Sequence, residues 1–183
     1  MATIQRIAVY CGASNSVPTD YLDAASEVGR TLAERDIEIV FGGGHVGLMG
    51  RLADAALEAG GHVIGVIPER LQERELAHTG CTKMIVVETM RQRKEQMEQL
   101  ADAFVALPGG LGTLDEIFEV ATLQQLNYHS KPLGFLNRNG YYDHLIAFFE
   151  RAVTDRFLSP SQRATIRFSD NFPALLGALQ SGG

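Results

Sequence analysis

Nine consecutive residues, Pro108-Gly109-Gly110-Leu111-Gly112-Thr113-Leu114-Asp115-Glu116, carry the groups best suited to chemistry in this chain. They follow an apolar strand-like run, Ala103 to Leu107, and lead into a helix-like run, Leu114 to Leu126. A strand that breaks into a glycine-rich loop and then a helix presents free backbone N–H groups at the positive end of the helix. Such a place holds a phosphate or another anion. The glycines let backbone come close to a ligand where a Cβ would be in the way. Glu116 is expected in the first turn of the helix, beside the anion. A cradle that only held phosphate would avoid a neighbouring carboxylate, so the pair suggests chemistry on a phosphorylated substrate. A plainer reading exists. Thr113-x-x-Glu116 fits a capping box, in which the Glu side chain reaches back to a backbone N–H. The pattern alone leaves both readings open; the length of the whole string exceeds what a cap requires.

Arg93 and Lys94 stand side by side in a mostly polar helix expected over Thr89 to Ala101, with Met90, Lys94, Met97 and Ala101 on one stripe. A solvated charged face accounts for Arg91. Arg93 offers a planar fork of donors that suits a carboxylate or a phosphate. Met90 and Met97 suit core packing. Gly42-Gly43-Gly44-His45-Val46-Gly47 matches G-x-G-x-x-G between a strand and a helix, the dinucleotide fingerprint in its local context. The acid that should close the next strand is displaced: Pro68 intervenes and Glu69 lies beyond it. The alternative is a tight turn that packs helix on sheet. The five histidines form no metal-ligand spacing, and no metal or cofactor is expected.

The elements alternate. Strands are expected at Ile4–Tyr10, Ile37–Phe41, His62–Ile67, Met84–Val87, Phe104–Leu107 and Pro132–Leu136. Helices are expected at Tyr21–Glu34, Leu48–Ala59, Thr89–Ala101, Leu114–Leu126 and Tyr141–Phe157, with another opened by Ser159-Pro160. This alternation predicts one α/β domain over residues 1–183: a Rossmann-like, doubly wound parallel sheet flanked by helices. The loops Cys11 to Ser16, Gly42 to Gly47 and Pro108 to Thr113 all follow strands. A parallel sheet brings them to one carboxyl edge, where ligands bind at the switch in strand order.

The chain has 183 residues, 45% apolar and 21% charged, enough for one hydrophobic core. Its net charge of −6 argues against a nucleic-acid polymer as partner. No apolar run reaches membrane-spanning length, and no signal-peptide pattern opens the chain, so a cytoplasmic location and no membrane partner are expected. Cys11 and Cys81 read as thiols in a reducing compartment. The last four residues, Gln180 to Gly183, are expected to fray.

The glycine string, preceded by Met90-Arg91-Gln92-Arg93-Lys94, resembles the cytokinin-activating phosphoribohydrolase family, often called LOG and often labelled "possible lysine decarboxylase". The resemblance also takes in Val9 to Ser16, Gly42-Gly43-Gly44 with Gly47-Leu48-Met49-Gly50, Lys131-Pro132-Leu133-Gly134 and Asn139-Gly140-Tyr141-Tyr142. It implies hydrolysis of the N-glycosidic bond of a nucleoside 5′-monophosphate, with release of base and ribose 5-phosphate. It implies catalytic roles for Arg93 and Glu116, with Arg93 holding the acid or the ribose hydroxyls. Substrate binding is then expected from Gly12, Ser14, Gly43, Gly44, Met90, Lys94, Gly109, Gly110, Leu111, Gly112, Thr113, Leu114 and Asp115. The resemblance further implies Thr122 in the nucleotide site and Glu75 near the base, although the sequence around Glu75 departs from the family pattern. Glycosidic cleavage passes through an oxocarbenium-like sugar that a carboxylate can stabilise. The resemblance implies adenine with or without an N6 isoprenoid tail, and a homodimer. A decarboxylase using pyridoxal phosphate needs a Schiff-base lysine, and Lys83, Lys94 and Lys131 sit in no such setting. The other reading is a non-catalytic carrier of a nucleotide or of molybdenum cofactor, as reported for related glycine-motif proteins.

Overall fold

The computed structural model describes residues 4–72 and 76–181. Seven strands form one parallel sheet: β1 (Arg6–Tyr10), β2 (Glu38–Phe41), β3 (Val63–Pro68), β4 (Lys83–Val87), β5 (Ala103–Ala106), β6 (Leu133–Leu136) and β7 (Ile166–Ser169). Their order is β4-β3-β2-β1-β5-β6-β7, so the direction of winding reverses between β1 and β5. The register there pairs Ile7 with Ala103 and Tyr10 with Ala106. β1, β2, β3 and β5 are almost wholly buried, as expected for strands covered on both faces and rich in Val, Ile and Ala.

The helices are α1 (Thr19–Ala33), α2 (Gly47–Glu58), α3 (Glu69–Gln72), α4 (Met90–Leu100), α5 (Leu111–Gln125), α6 (Asp143–Thr154), α7 (Pro160–Thr165) and α8 (Phe172–Ser181). One core lies under α1, α2 and α8, with Val28, Leu32, Leu52 and Leu175 against Ile7, Val9 and Phe41. The second lies under α4, α5 and α6, with Met97, Ile117, Val120 and Phe149 against Ala8, Phe104 and Phe135. The sheet is therefore wound on both faces, as its alternating sequence predicts.

Some elements differ from expectation. α5 begins at Leu111, three residues before the apolar run that marks it in the sequence. Helical hydrogen bonding starts as soon as Gly110 can act as N-cap, and glycine in a first turn costs little when tertiary packing holds the rest. The long helix expected over Tyr141–Phe157 is shorter. A 3₁₀ turn at Arg138–Gly140 precedes α6, and Arg156, with φ of 66°, stops its continuation. β7 and α8 were not expected, and Gln180 and Ser181 belong to α8 rather than to a frayed end. Pro68 closes β3 from within the strand, pairing with Val87.

Candidate active site

The loops after β1, β2 and β5 meet at the carboxyl edge beside the switch in strand order. The loops after β1 and β5, together with residues of α2, α4 and α5, enclose a cavity of about 280 Å³ whose wall includes Gly12, Met90, Arg93, Gly110, Thr113 and Glu116. Gly12 ties the loops together: its N–H donates to Pro108 O at 3.1 Å, and its carbonyl accepts from Leu48 N at 3.0 Å.

The N-terminus of α5 opens into this cavity. Gly110 is its N-cap, with no side chain capping it. The first helical bond is Leu114 N to Gly110 O at 3.2 Å, so the N–H groups of Leu111, Gly112 and Thr113 have no acceptor within the helix. Thr89 with Gln92 on α4 and Ser159 with Gln162 on α7 form complete capping boxes, while α1, α2 and α6 share with α5 the lack of a side-chain cap. Glu116 lies in the second turn of α5, not the first, and makes no cap. The capping-box reading is thereby overturned, because the helix starts upstream of Thr113. The glycines divide by what surrounds them. A Cβ at Gly109 would meet Thr113 Oγ1 at 2.1 Å and Gly12 N at 2.9 Å, whereas a Cβ at Gly110 or Gly112 would meet nothing within 4 Å. Packing explains the first glycine. At the other two, both in the cavity wall, the protein leaves space free.

Arg93 and Glu116 form the charged centre. The guanidinium Nη1 lies 3.1 Å from Glu116 Oε1, and the two residues are only 8% and 7% exposed. Arg93 Nε donates to Val66 O at 3.1 Å, and Nη1 lies 3.8 Å from the Met90 sulfur. Burial raises the Glu116 pKa above its ordinary value; the Arg93 charge opposes that shift only in part. The result is a fixed carboxylate of raised basicity, in the wall of a cavity that also takes in the N-terminus of its own helix, α5. That arrangement can bind a phosphate and deliver a base or a negative charge to an atom nearby.

The remaining residues expected from sequence are placed as follows. Lys94 bridges Asp115 at 3.0 Å and also Glu119, which ties α4 to α5 beside the Arg93–Glu116 pair. Asp115 itself lines the cavity. Met90 is 46% exposed at the cavity wall rather than packed in the core, whereas Met97 is fully buried. Leu111 projects outward and Leu114 packs on the second core. Gly43, with φ of 74°, and Gly44 are not in the cavity wall. Gly44 bridges Ala77, His45 N donates to Leu76 O at 3.0 Å, and His78 N donates to Gly43 O at 2.8 Å. The residue of that loop which serves the site is Gly42, where Arg93 Nη2 would lie 1.7 Å from a Cβ. The Arg93 guanidinium thus accounts for the glycine at position 42. Ser14 accepts from Ser16 N at 3.2 Å, one residue past the cavity-lining Ala13. Thr122 lies on another face of α5: its hydroxyl donates to Phe118 O at 2.7 Å and it borders a groove with α6 and α7. Glu75 falls outside the described residues. Cys11 lines the cavity, but burial pushes its thiol far above the ordinary value, so it carries no thiolate. Met49 and Ala13 complete the wall and carry no motif that would mark them in a sequence.

The family described as "Possible lysine decarboxylase" matches residues 49–179. The chain is 46% identical over 176 residues to the cytokinin riboside 5′-monophosphate phosphoribohydrolase LOG2 of Arabidopsis thaliana, covering 96% of this chain and 83% of the relative. This chain belongs to that family. LOGL9 of Oryza sativa subsp. japonica, named a probable cytokinin riboside 5′-monophosphate phosphoribohydrolase, is 45% identical over 176 residues, covering 96% of this chain and 78% of the relative. Among solved structures, the molybdenum cofactor binding protein of Rippkaea orientalis matches with a TM-score of 0.73 at 22% identity, over 97% of this chain and 98% of that one. At that identity the likeness speaks for the fold, not for a shared ligand. The lysines do not favour the decarboxylase label of the family: Lys94 and Lys131 are ion-paired, and Lys83 is exposed on an edge strand.

Proposed function

We propose that this chain is an enzyme that hydrolyses the N-glycosidic bond of adenosine 5′-monophosphate, or of its N6-modified forms, to free base and ribose 5-phosphate. The observation that carries the reading is the buried Arg93–Glu116 pair sharing one cavity with the uncapped N-terminus of α5. Its relatives bear the name of that activity. The 5′-phosphate sits on the free N–H groups of Leu111, Gly112 and Thr113 and fills the space over Gly110 and Gly112. This places the sugar next to Glu116. As the bond from C1′ to the base nitrogen lengthens, the carboxylate stabilises the developing cation. Water adds to C1′ through its oxygen; Glu116 accepts one water proton, and the departing base nitrogen takes up a proton from solvent. Arg93 holds the carboxylate ionised and aimed.

Met90, Lys94 and Asp115 belong to the same site. Gly43 and Gly44 serve it through the loop that houses Arg93, and Glu75 remains a candidate near the base. Thr122 reaches a nucleotide only if a second copy of the chain brings that groove against the cavity, which fits the proposed homodimer. The enzyme works in the cytoplasm without metal or cofactor. No described helix is long and apolar enough to cross a membrane. Incubation with AMP, followed by chromatography for adenine and ribose 5-phosphate, tests the reading; a carrier would return AMP intact.

A further inference from the structure

The Asn139-Gly140-Tyr141-Tyr142 run plays no part in the chemistry above, yet both tyrosine hydroxyls end on the glycine loop. Tyr142 Oη donates to Leu107 O and Tyr141 Oη donates to Gly109 O, each at 2.7 Å. Between them, Pro108 O accepts from Gly12 N at 3.1 Å. Three successive carbonyls of the loop are thus turned onto protein donors.

That matters because no peptide bond in the described residues is cis. In a trans peptide the C=O and the following N–H point in opposite directions. Fixing Gly109 C=O toward Tyr141 therefore fixes the N–H of Gly110, the N-cap of α5 and part of the cavity wall, the other way. A free Gly109 carbonyl could rotate inward and present a partial negative charge to the anion. The Leu107 carbonyl has no such counterpart, since Pro108 carries no N–H; Tyr142 only completes the end of β5.

We propose that Tyr141 is a positioning residue of the phosphate cradle, holding the Gly109–Gly110 peptide so that its N–H faces the anion. Tyr142 is a structural anchor of the strand end. The proposal rests on the phosphate-cradle reading above. The surroundings hold Tyr141 in place. Its ring packs edge-on against Tyr21 and Tyr142, at 5.4 and 4.9 Å between centroids. Asn137 holds the preceding turn, accepting from Tyr142 N at 2.6 Å and donating to Asp143 at 2.8 Å.

The two tyrosines predict opposite signatures. Tyr141→Phe removes a hydroxyl that is 42% exposed as a residue, so the melting temperature stays at the wild-type value. Titration with inorganic phosphate should show affinity weakened roughly three- to tenfold, the worth of one hydrogen bond. KM for AMP should rise by the same factor while kcat holds, and adenosine affinity should not change. Tyr142→Phe leaves the Leu107 carbonyl buried without a donor, so it lowers the melting temperature and leaves phosphate affinity of the folded protein unchanged. Unchanged phosphate affinity in Tyr141→Phe, or equal weakening for phosphate and adenosine, overturns the proposal. If Tyr141→Phe weakens phosphate but wild-type protein leaves AMP intact, the positioning role stands and the hydrolase reading falls.

Discussion

A Cβ at Gly42 would lie 1.7 Å from Nη2 of Arg93, so the turn after β2 is shaped around that guanidinium. The glycine loop that resembles a dinucleotide fingerprint thus serves as a seat for the residue that holds Glu116. Gly42→Ala forces Arg93 out of its place. Overpacking of this kind costs roughly 1–3 kcal/mol, and the Arg93–Glu116 contact is lost with it. A lower melting temperature together with lost turnover is the expected result.

Gly112→Ala should behave in the opposite way. A Cβ there meets nothing within 4 Å, and alanine in place of glycine favours a helix by about 1 kcal/mol in an interior position. The melting temperature should hold or rise. The methyl group occupies the space assigned to the phosphate, so KM for AMP should rise at least about tenfold through displaced charge-assisted hydrogen bonds. Thermal melts and AMP kinetics on one preparation check both.

The phosphate should also dominate substrate choice. Charge-assisted hydrogen bonds are each worth roughly 1.5–3 kcal/mol, so losing two should favour AMP over adenosine by about a hundredfold or more in kcat/KM. Equal turnover of nucleoside and nucleotide would contradict the cradle.

The pH dependence follows from burial. The Glu116 pKa in the folded protein is raised above the ordinary value of 4.5. Hydrolysis needs the ionised form, so the acid limb of kcat/KM should lie above 4.5 rather than at it. Stability runs the other way. A raised pKa means that the folded state binds the proton more tightly than the unfolded chain. Glu116 therefore contributes stability below its unfolded value, and that contribution is lost as pH rises through the folded value. Glu116→Gln keeps an acceptor for Arg93 without the buried charge. Relative to wild type it should gain stability as pH rises from acid to neutral, as read from melting temperatures across that range.

The alternation of strands and helices and the gathering of three loops at one edge are legible in the sequence; the importance of Arg93 comes only from the family resemblance, which leaves Glu116 and the ribose hydroxyls both open as its partner. Runs such as Ala103–Leu107 are apolar throughout, and the glycines mark where they stop. β7 escaped because Ile166–Ser169 alternates Ile and Phe with Arg and Ser over only four residues, and follows α7 without a glycine or proline to separate them. The start of α5 is hidden because Gly110 and Gly112 read as loop, which makes Thr113 look like an N-cap and Glu116 its capping partner. The seats of Arg93 in the Gly42 turn and of the Tyr141 hydroxyl on Gly109 are contacts between distant segments. No local pattern announces them.

The central claim is that Glu116 does chemistry within a nucleotide site. The most direct measurement follows free base released from AMP by wild-type protein and by Glu116→Gln, with melting temperature and AMP affinity measured alongside. Wild-type protein should release adenine and ribose 5-phosphate. The variant should fold and bind AMP, since Glu116 caps nothing and the amide can still accept from Arg93. Its turnover should fall by about 10²-fold or more, the scale of a lost acid or base. Normal turnover in a folded Glu116→Gln protein would contradict the account.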